Sequence, residues 1–337
     1  MIAKLLDSTL KPYGYRVVPS AILHDWQKEL EPRGRFNASR LPPGAASYLR
    51  PDHPRLVELK RRYASFDRRV TSPLVWIEGS LSAQELRYFR GDNAYVWQLR
   101  GPNMDGGAYA LATYYAKSID AHGLLGKLVE DDYFGNFTFD ICGTLVSRDL
   151  LDSLVEIYFL DRHLGVASAA AGLTVLDIGA GYGRLAHRML SALPSVRRYL
   201  CTDAIAESTF LSEYYLGFRK LDDRARVLAL NEIEAALEAQ SVDLALNIHS
   251  FSECTPSAID WWIALLARHR VKHLMIVPNA QEHGGELLLT LDRKDMRSII
   301  ERHGYRQVAR DPKYRDRLVQ KHAINPTCHF LFELAGR

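Results

Sequence analysis

The rhythm of apolar and polar positions along this chain changes near Gly172. Before that point the pattern is mainly helical. It includes LVELKRRYASF from Leu56 and a run after Ser147 in which Leu150, Leu151, Leu154, Val155, Tyr158 and Phe159 recur at helical spacing. Ser147, followed by Arg148 and Asp149, is placed to cap that helix. After Gly172, short apolar runs alternate with amphipathic stretches, the pattern of a doubly wound parallel sheet. The predicted strands are Thr174–Ile178, RRYLCTD ending at Asp203, RVLAL, Val242–Ile248 and KHLMIVPN, with helices in RLAHRMLSAL, STFLSEYYLGF and SAIDWWIALLARHR. The last segments, YRQVAR and CHFLFEL, would pair as an antiparallel hairpin separated by a basic loop, DPKYRDRLVQKHAINP.

Two units follow from this change: residues 1–146 as a mainly helical acceptor-binding or lid region, and 147–337 as the sheet domain. Within the first, KPYGYRVVPSAILHDWQKEL reads as a short extended piece and a helix, and EPRGRFNASRLPPGAASYLRPDHPR as a loop or linker. Further on, Asn93, Tyr95, Trp97 and Gln98 set flat apolar faces beside amide groups, a combination suited to holding a sugar ring. The same aromatic residues would serve equally as core.

Composition narrows the classes. At 337 residues, 47% apolar and 25% charged, the chain can bury substantial cores, and a formal charge of +3 argues for neither nucleic acid nor an anionic membrane as partner. MIAKLLDSTLKPYGY is broken by Lys4 and Asp7, so neither a signal peptide nor a spanning helix is expected and a cytoplasmic address follows by default. Cys142, Cys201, Cys254 and Cys328 are scattered without a C-x-x-C pair and read as free thiols.

TVLDIGAGYG, from Thr174 to Gly183, is the stretch with chemistry in it. A strand leads to Asp177 and then to glycines at 179, 181 and 183, where the backbone must turn tightly and admit a ligand. A dinucleotide fingerprint needs a third small residue at the position held here by Arg184. The spacing G-x-G-x-G, with an acid two residues before it, instead matches class I S-adenosylmethionine-dependent methyltransferases. A second acid, Asp203, ends the next strand, where it can accept hydrogen bonds from ribose hydroxyls.

From Tyr133 to Leu334 the chain resembles the sugar O-methyltransferases. The features that carry the likeness are SRDLLDSLVEIYFL, VLDIGAGYGRLAHRM, the strand leading to Asp203 with ESTFLSEYYL, and NIHSFSEC. The resemblance implies a Rossmann-like class I methyltransferase sheet, S-adenosylmethionine as methyl donor and a sugar hydroxyl as acceptor, in a glycan or a glycosylated metabolite. It places Gly179, Ala180, Gly181 and Gly183 on the methionine part of the donor, Asp177 near its ammonium or holding the loop, Asp203 on the ribose and Asn231 or Glu232 at the adenine edge. Asn247 and Ser250 would touch the methionine end or shape the pocket, and Arg148 could reach the donor carboxylate or serve as a surface or capping residue.

Removing a proton from a sugar hydroxyl calls for a base. His249, at the end of the fourth strand, is the first choice; it could also contact the cofactor or complete the core. Glu253 could orient it, act as the base itself or cap a helix, and His283, in AQEHGGE, is the second choice. Glu253, Glu282 and Glu286 lack diagnostic metal spacing, so no metal is expected. The alternatives are methylation of another small natural product, or a module that binds the donor without catalysis. Oligomeric state is left open.

Overall fold

The computed structural model describes residues 2–13, 17, 40–72, 74–76, 80–168 and 172–336. The helix expected before Leu30, and the first part of the Pro-, Gly- and Arg-rich stretch after it, lie outside these residues. A two-residue hairpin unforeseen in the sequence, β1 (Phe139–Ile141) and β2 (Thr144–Val146), delivers the chain to Ser147. Its turn residues, Cys142 and Gly143, both have positive φ, as this kind of tight turn demands. Ser147 then caps the Arg148–Leu164 helix, its Oγ accepting the Leu150 N–H at 3.2 Å.

Seven strands make the main sheet: β3 (Leu173–Ile178), β4 (Val196–Thr202), β5 (Ala225–Leu228), β6 (Leu244–Ile248), β7 (His273–Val277), β8 (Tyr305–Pro312) and β9 (Cys328–Leu334). In space they run β5-β4-β3-β6-β7-β9-β8, the first five parallel and β9 antiparallel to both its neighbours. This is the doubly wound, Rossmann-like sheet with a terminal antiparallel pair that the sequence predicts. The order reverses direction at β3, so the crevice for a ligand opens above the carboxyl ends of β3, β4 and β6.

Because strand side chains alternate, each parallel strand feeds two cores. Leu176, Leu200, Ala245 and Leu274 face one, and Val175, Tyr199, Leu246 and Met275 face the other. Both cores also take residues from before position 147: Leu56, Leu59 and Tyr63 pack into the first, and Tyr109 and Tyr115 into the second.

The basic segment between the last two strands is not all loop. Asp316 caps a helix at Arg317–His322 by accepting the Leu318 and Val319 N–H groups, a signal hidden among charged neighbours. No helix among the described residues is long and apolar enough to cross a membrane.

Candidate active site

The glycine loop is built by hydrogen bonds to the neighbouring strand. Gly179 and Ala180 donate their N–H groups to the Thr202 carbonyl at 2.9 and 3.1 Å, and Gly181 donates to Asp203 Oδ2 at 3.0 Å. Asp203 Oδ1 accepts the Ile205 N–H at 2.9 Å, so the acid is aimed by backbone alone. Gly179 has φ +75°, and a Cβ there would sit 2.3 Å from the Ser250 side chain. Glycine is therefore required at 179 by both conformation and space.

Above this loop opens a cleft of about 1020 Å³, counting its mouth. Asp177, Gly179, Ala180, Gly181, Asp203, Ser250, His249 and Glu253 line it, as do Arg148 and Tyr95. Other expected residues stand elsewhere. Gly183 is the left-handed cap of the Arg184–Ala192 helix. Asn247 is fully buried and ties two strand ends together, donating to the Ile178 carbonyl and accepting the Phe251 N–H, both at 2.8 Å.

Asn231 and Glu232 do not reach the cleft. Arg62, on the Pro54–Ala64 helix, donates to Asn231 Oδ1 at 3.0 Å and Glu232 Oε1 at 2.6 Å. The neighbouring Tyr63 hydroxyl accepts the Leu230 N–H at 3.0 Å. The N-terminal region thus covers the corner where the sequence places adenine recognition. Asn93 and Gln98 are also structural, since Asn93 donates to the Tyr88 carbonyl while Gln98 donates to the Arg90 carbonyl and Asn136 Oδ1. Trp97 is half-exposed and outside the cleft, its carbonyl accepting a bond from Arg148. His283 lies outside the cleft too, its Nε2 buried without a partner among the described residues.

His249 has φ +66°, costly for a residue with a Cβ and concentrated in proteins at working sites. Its Nδ1 lies 3.3 Å from the Pro278 carbonyl, which can only accept, so Nδ1 carries the hydrogen and Nε2 keeps its lone pair. Burial, reinforced by Arg148, Arg184 and Lys313, lowers its pKa to about 3. Glu253 does not orient His249. Its Oε2 accepts from Trp76 Nε1 at 2.6 Å and its Oε1 from Asn279 Nδ2 at 3.1 Å, while burial raises its pKa.

Several groups in the cleft wall or behind it were missed in the sequence. Asp149 and Asp152 stand in the first turns of the capped helix, where acids ordinarily serve the helix end. Lys313 donates to Asp152 Oδ1 at 2.6 Å. Burial opposes ionisation of Asp152, but Lys313, Arg148 and Arg184 outweigh it and hold the carboxyl well below its usual range. Arg184 makes a two-pronged contact with Glu156 at 2.9 and 3.0 Å. Trp76, also missed, stands beside the expected Tyr95, and the two form an aromatic wall with ring centres 5.2 Å apart.

The cleft carries more acid than base. Five carboxylates, Asp149, Asp152, Asp177, Asp203 and Glu253, face two guanidinium groups, Arg148 and Arg184. Asp149 Oδ1 is buried with no hydrogen-bond partner among the described residues. Burial pushes Asp177 up to about 7 against the Tyr199 hydrogen bond, and Asp203 up to about 7 against its two backbone donors. Such an arrangement suits a ligand that brings positive charge of its own.

The sequence matches no known family profile and no curated protein. Among solved structures, the chain is similar to a protein of the NADB-Rossmann superfamily from Streptococcus agalactiae, at 18% identity over 52% of this chain and 68% of that one, TM-score 0.38. It is similar to a mitomycin 7-O-methyltransferase at 18% identity over 55% and 57%, TM-score 0.37. A third is magnesium protoporphyrin IX methyltransferase from Synechocystis PCC 6803 with bound S-adenosylhomocysteine, at 14% identity over 55% and 81%, TM-score 0.37.

Proposed function

We propose that this chain is an S-adenosylmethionine-dependent O-methyltransferase that methylates a sugar hydroxyl of a glycan or glycosylated metabolite. The observation that carries the donor assignment is the excess of carboxylate around a glycine loop, at the switch point of a Rossmann-like sheet. The donor brings an ammonium and a sulfonium to that excess. Its ribose hydroxyls would fall to Asp203, each of whose oxygens keeps a lone pair beyond the one used by a backbone N–H. Arg148 would hold the donor carboxylate, and the unpartnered Asp149 Oδ1 the ammonium.

When bound, the cofactor supplies an electrophilic methyl group. The chain's own residues align the acceptor and take its proton. His249 Nε2, neutral and unprotonated, is the first acceptor for that proton; its low pKa makes it a weak base. Glu253, raised toward the working range by burial, is the second. The Trp76–Tyr95 wall supplies a flat face for a sugar ring, and residues 1–146 serve as the acceptor-binding or lid region. The same wall favours a second reading, a planar aromatic acceptor, on the ground that offset or tilted aromatic contacts are favourable.

Calorimetric titration with S-adenosylhomocysteine tests the donor, and transfer of labelled methyl to panels of sugars and phenols tests the acceptor. Binding of NAD in place of the nucleoside would overturn the donor assignment. Labelling of phenols alone would replace the sugar with the aromatic reading.

A further inference from the structure

A second cavity, of about 610 Å³ counting its mouth, opens against the Arg184–Ala192 helix and shares no lining residue with the cleft. Lys127, Arg188 and Arg219 line it with one acid, Asp131, and with His187 and Ser191. Asp131 is already committed on both oxygens, to Arg90 and to Arg219 Nη1, each at 2.6 Å. Glu130, fully buried behind, takes Arg188 Nη2 at 2.6 Å, and Arg188 Nη1 donates to the Val129 carbonyl at 3.3 Å. Yet Arg219 Nε and Nη2 are buried and find no acceptor among the described residues. The rings of Tyr215 and Phe218 lie 4.9 and 5.1 Å from its guanidinium, covering its faces without accepting these N–H groups.

Buried donors without acceptors mark a place for an ion or water. The electrical character of the cavity says which. Burial, the larger cause, lowers the His187 pKa, and Arg188, Arg219 and Arg90 all stand close enough to lower it further, so three guanidinium groups gather at this cavity. Lys127 is exposed and has no ion-pair partner among the described residues, so its charge is available at the mouth.

We propose that this cavity binds a small phosphoryl oxyanion, either free phosphate or a phosphate monoester, through Arg219 and Lys127, with the Ser191 hydroxyl as a further donor and the charge of Arg188 behind them. The site is independent of the methyl-donor cleft. A guanidinium fork and an ammonium suit three phosphoryl oxygens better than a single carboxylate.

The test is thermal-shift titration of the full chain with sodium phosphate in a phosphate-free buffer, with ionic strength held constant by sodium chloride. A parallel series uses glycerol 3-phosphate. A saturable rise in Tm is expected from mass action, and R219Q and K127Q should each weaken apparent affinity about ten-fold, the equivalent of one charge-assisted contact. D203N, in the other cleft, should leave phosphate affinity unchanged. Tighter binding of the ester than of phosphate would identify a monoester as ligand, and the reverse free phosphate. R219Q breaks the contact with Asp131; if it melts too early to titrate, K127Q decides, because it breaks no ion pair among the described residues. The proposal is overturned by absence of a saturable response, by equal affinity in the deciding variants, or by loss of the response in D203N.

Discussion

Asp203 Oδ2 accepts the Gly181 N–H at 3.0 Å, fastening the acid that follows β4 to the glycine loop that follows β3. One carboxylate therefore both shapes the loop and faces the cleft. Asp203→Ala should weaken S-adenosylhomocysteine binding by at least about ten-fold, since charged hydrogen bonds contribute roughly 1.5–3 kcal/mol. Calorimetric titration measures it, and an unchanged affinity would remove Asp203 from the ribose.

The pH dependence has a definite sign. Burial raises Asp177 and Asp203 to about 7 in the folded chain, from about 4 when unfolded. Between those values the native state binds more protons than the unfolded one, so these groups make stability fall as pH rises from about 4 to 7, with no further change above. Asp131 and Asp152, shifted downward, act in the opposite sense at lower pH. A bound cation favours the ionised acids, so donor binding at pH 6.5 should release protons and tighten toward pH 8. Calorimetry in two buffers of different ionisation enthalpy reads that release; net proton uptake would contradict it.

Gly179→Ala combines a positive φ with a Cβ 2.3 Å from Ser250. It should destabilise the chain by about 1–3 kcal/mol, as strained backbone positions do. Adding Ser250→Gly should recover the steric part and leave the conformational part. Melting of the single and double variants separates the two, and a single variant as stable as the parent would disprove the close approach.

His249→Ala and Glu253→Gln distinguish the two proton acceptors. Loss of the acting base should lower kcat by about two to four powers of ten while donor affinity stays within a few-fold. The bystander should change kcat little. Single-turnover methyl transfer reports both, and two unaffected rates would leave the reaction without either base.

Asn231→Ala with Glu232→Ala should leave donor affinity within about two-fold, because Arg62 engages both side chains outside the cleft and partly exposed ion pairs contribute only about 0–1 kcal/mol. A large loss in calorimetric affinity would return the adenine edge to that corner.

Local patterns carried the sheet. Alternating strands and helices, the Ser147 cap, the glycine spacing and the acid at 203 are dictated by neighbours a few residues apart, so they were legible before any fold was known. The same reasoning fails for side chains whose role depends on a distant partner. Asn247 shapes the pocket from behind, a role visible only once Ile178 takes its amide, and Asn231 and Glu232 look like pocket residues until a helix about 170 positions earlier brings Arg62 onto them.

The sequence by itself determined the order of elements and the glycine loop, because hydrophobic period and positive φ are local demands. Tertiary structure alone decided the charge balance of the cleft. It brings Lys313 to Asp152, leaves Asp149 Oδ1 without a partner among the described residues and buries Asp177 and Asp203. Burial and the approach of distant charges set how strongly a carboxylate seeks a cation, and neither is written in the spacing of residues along the chain.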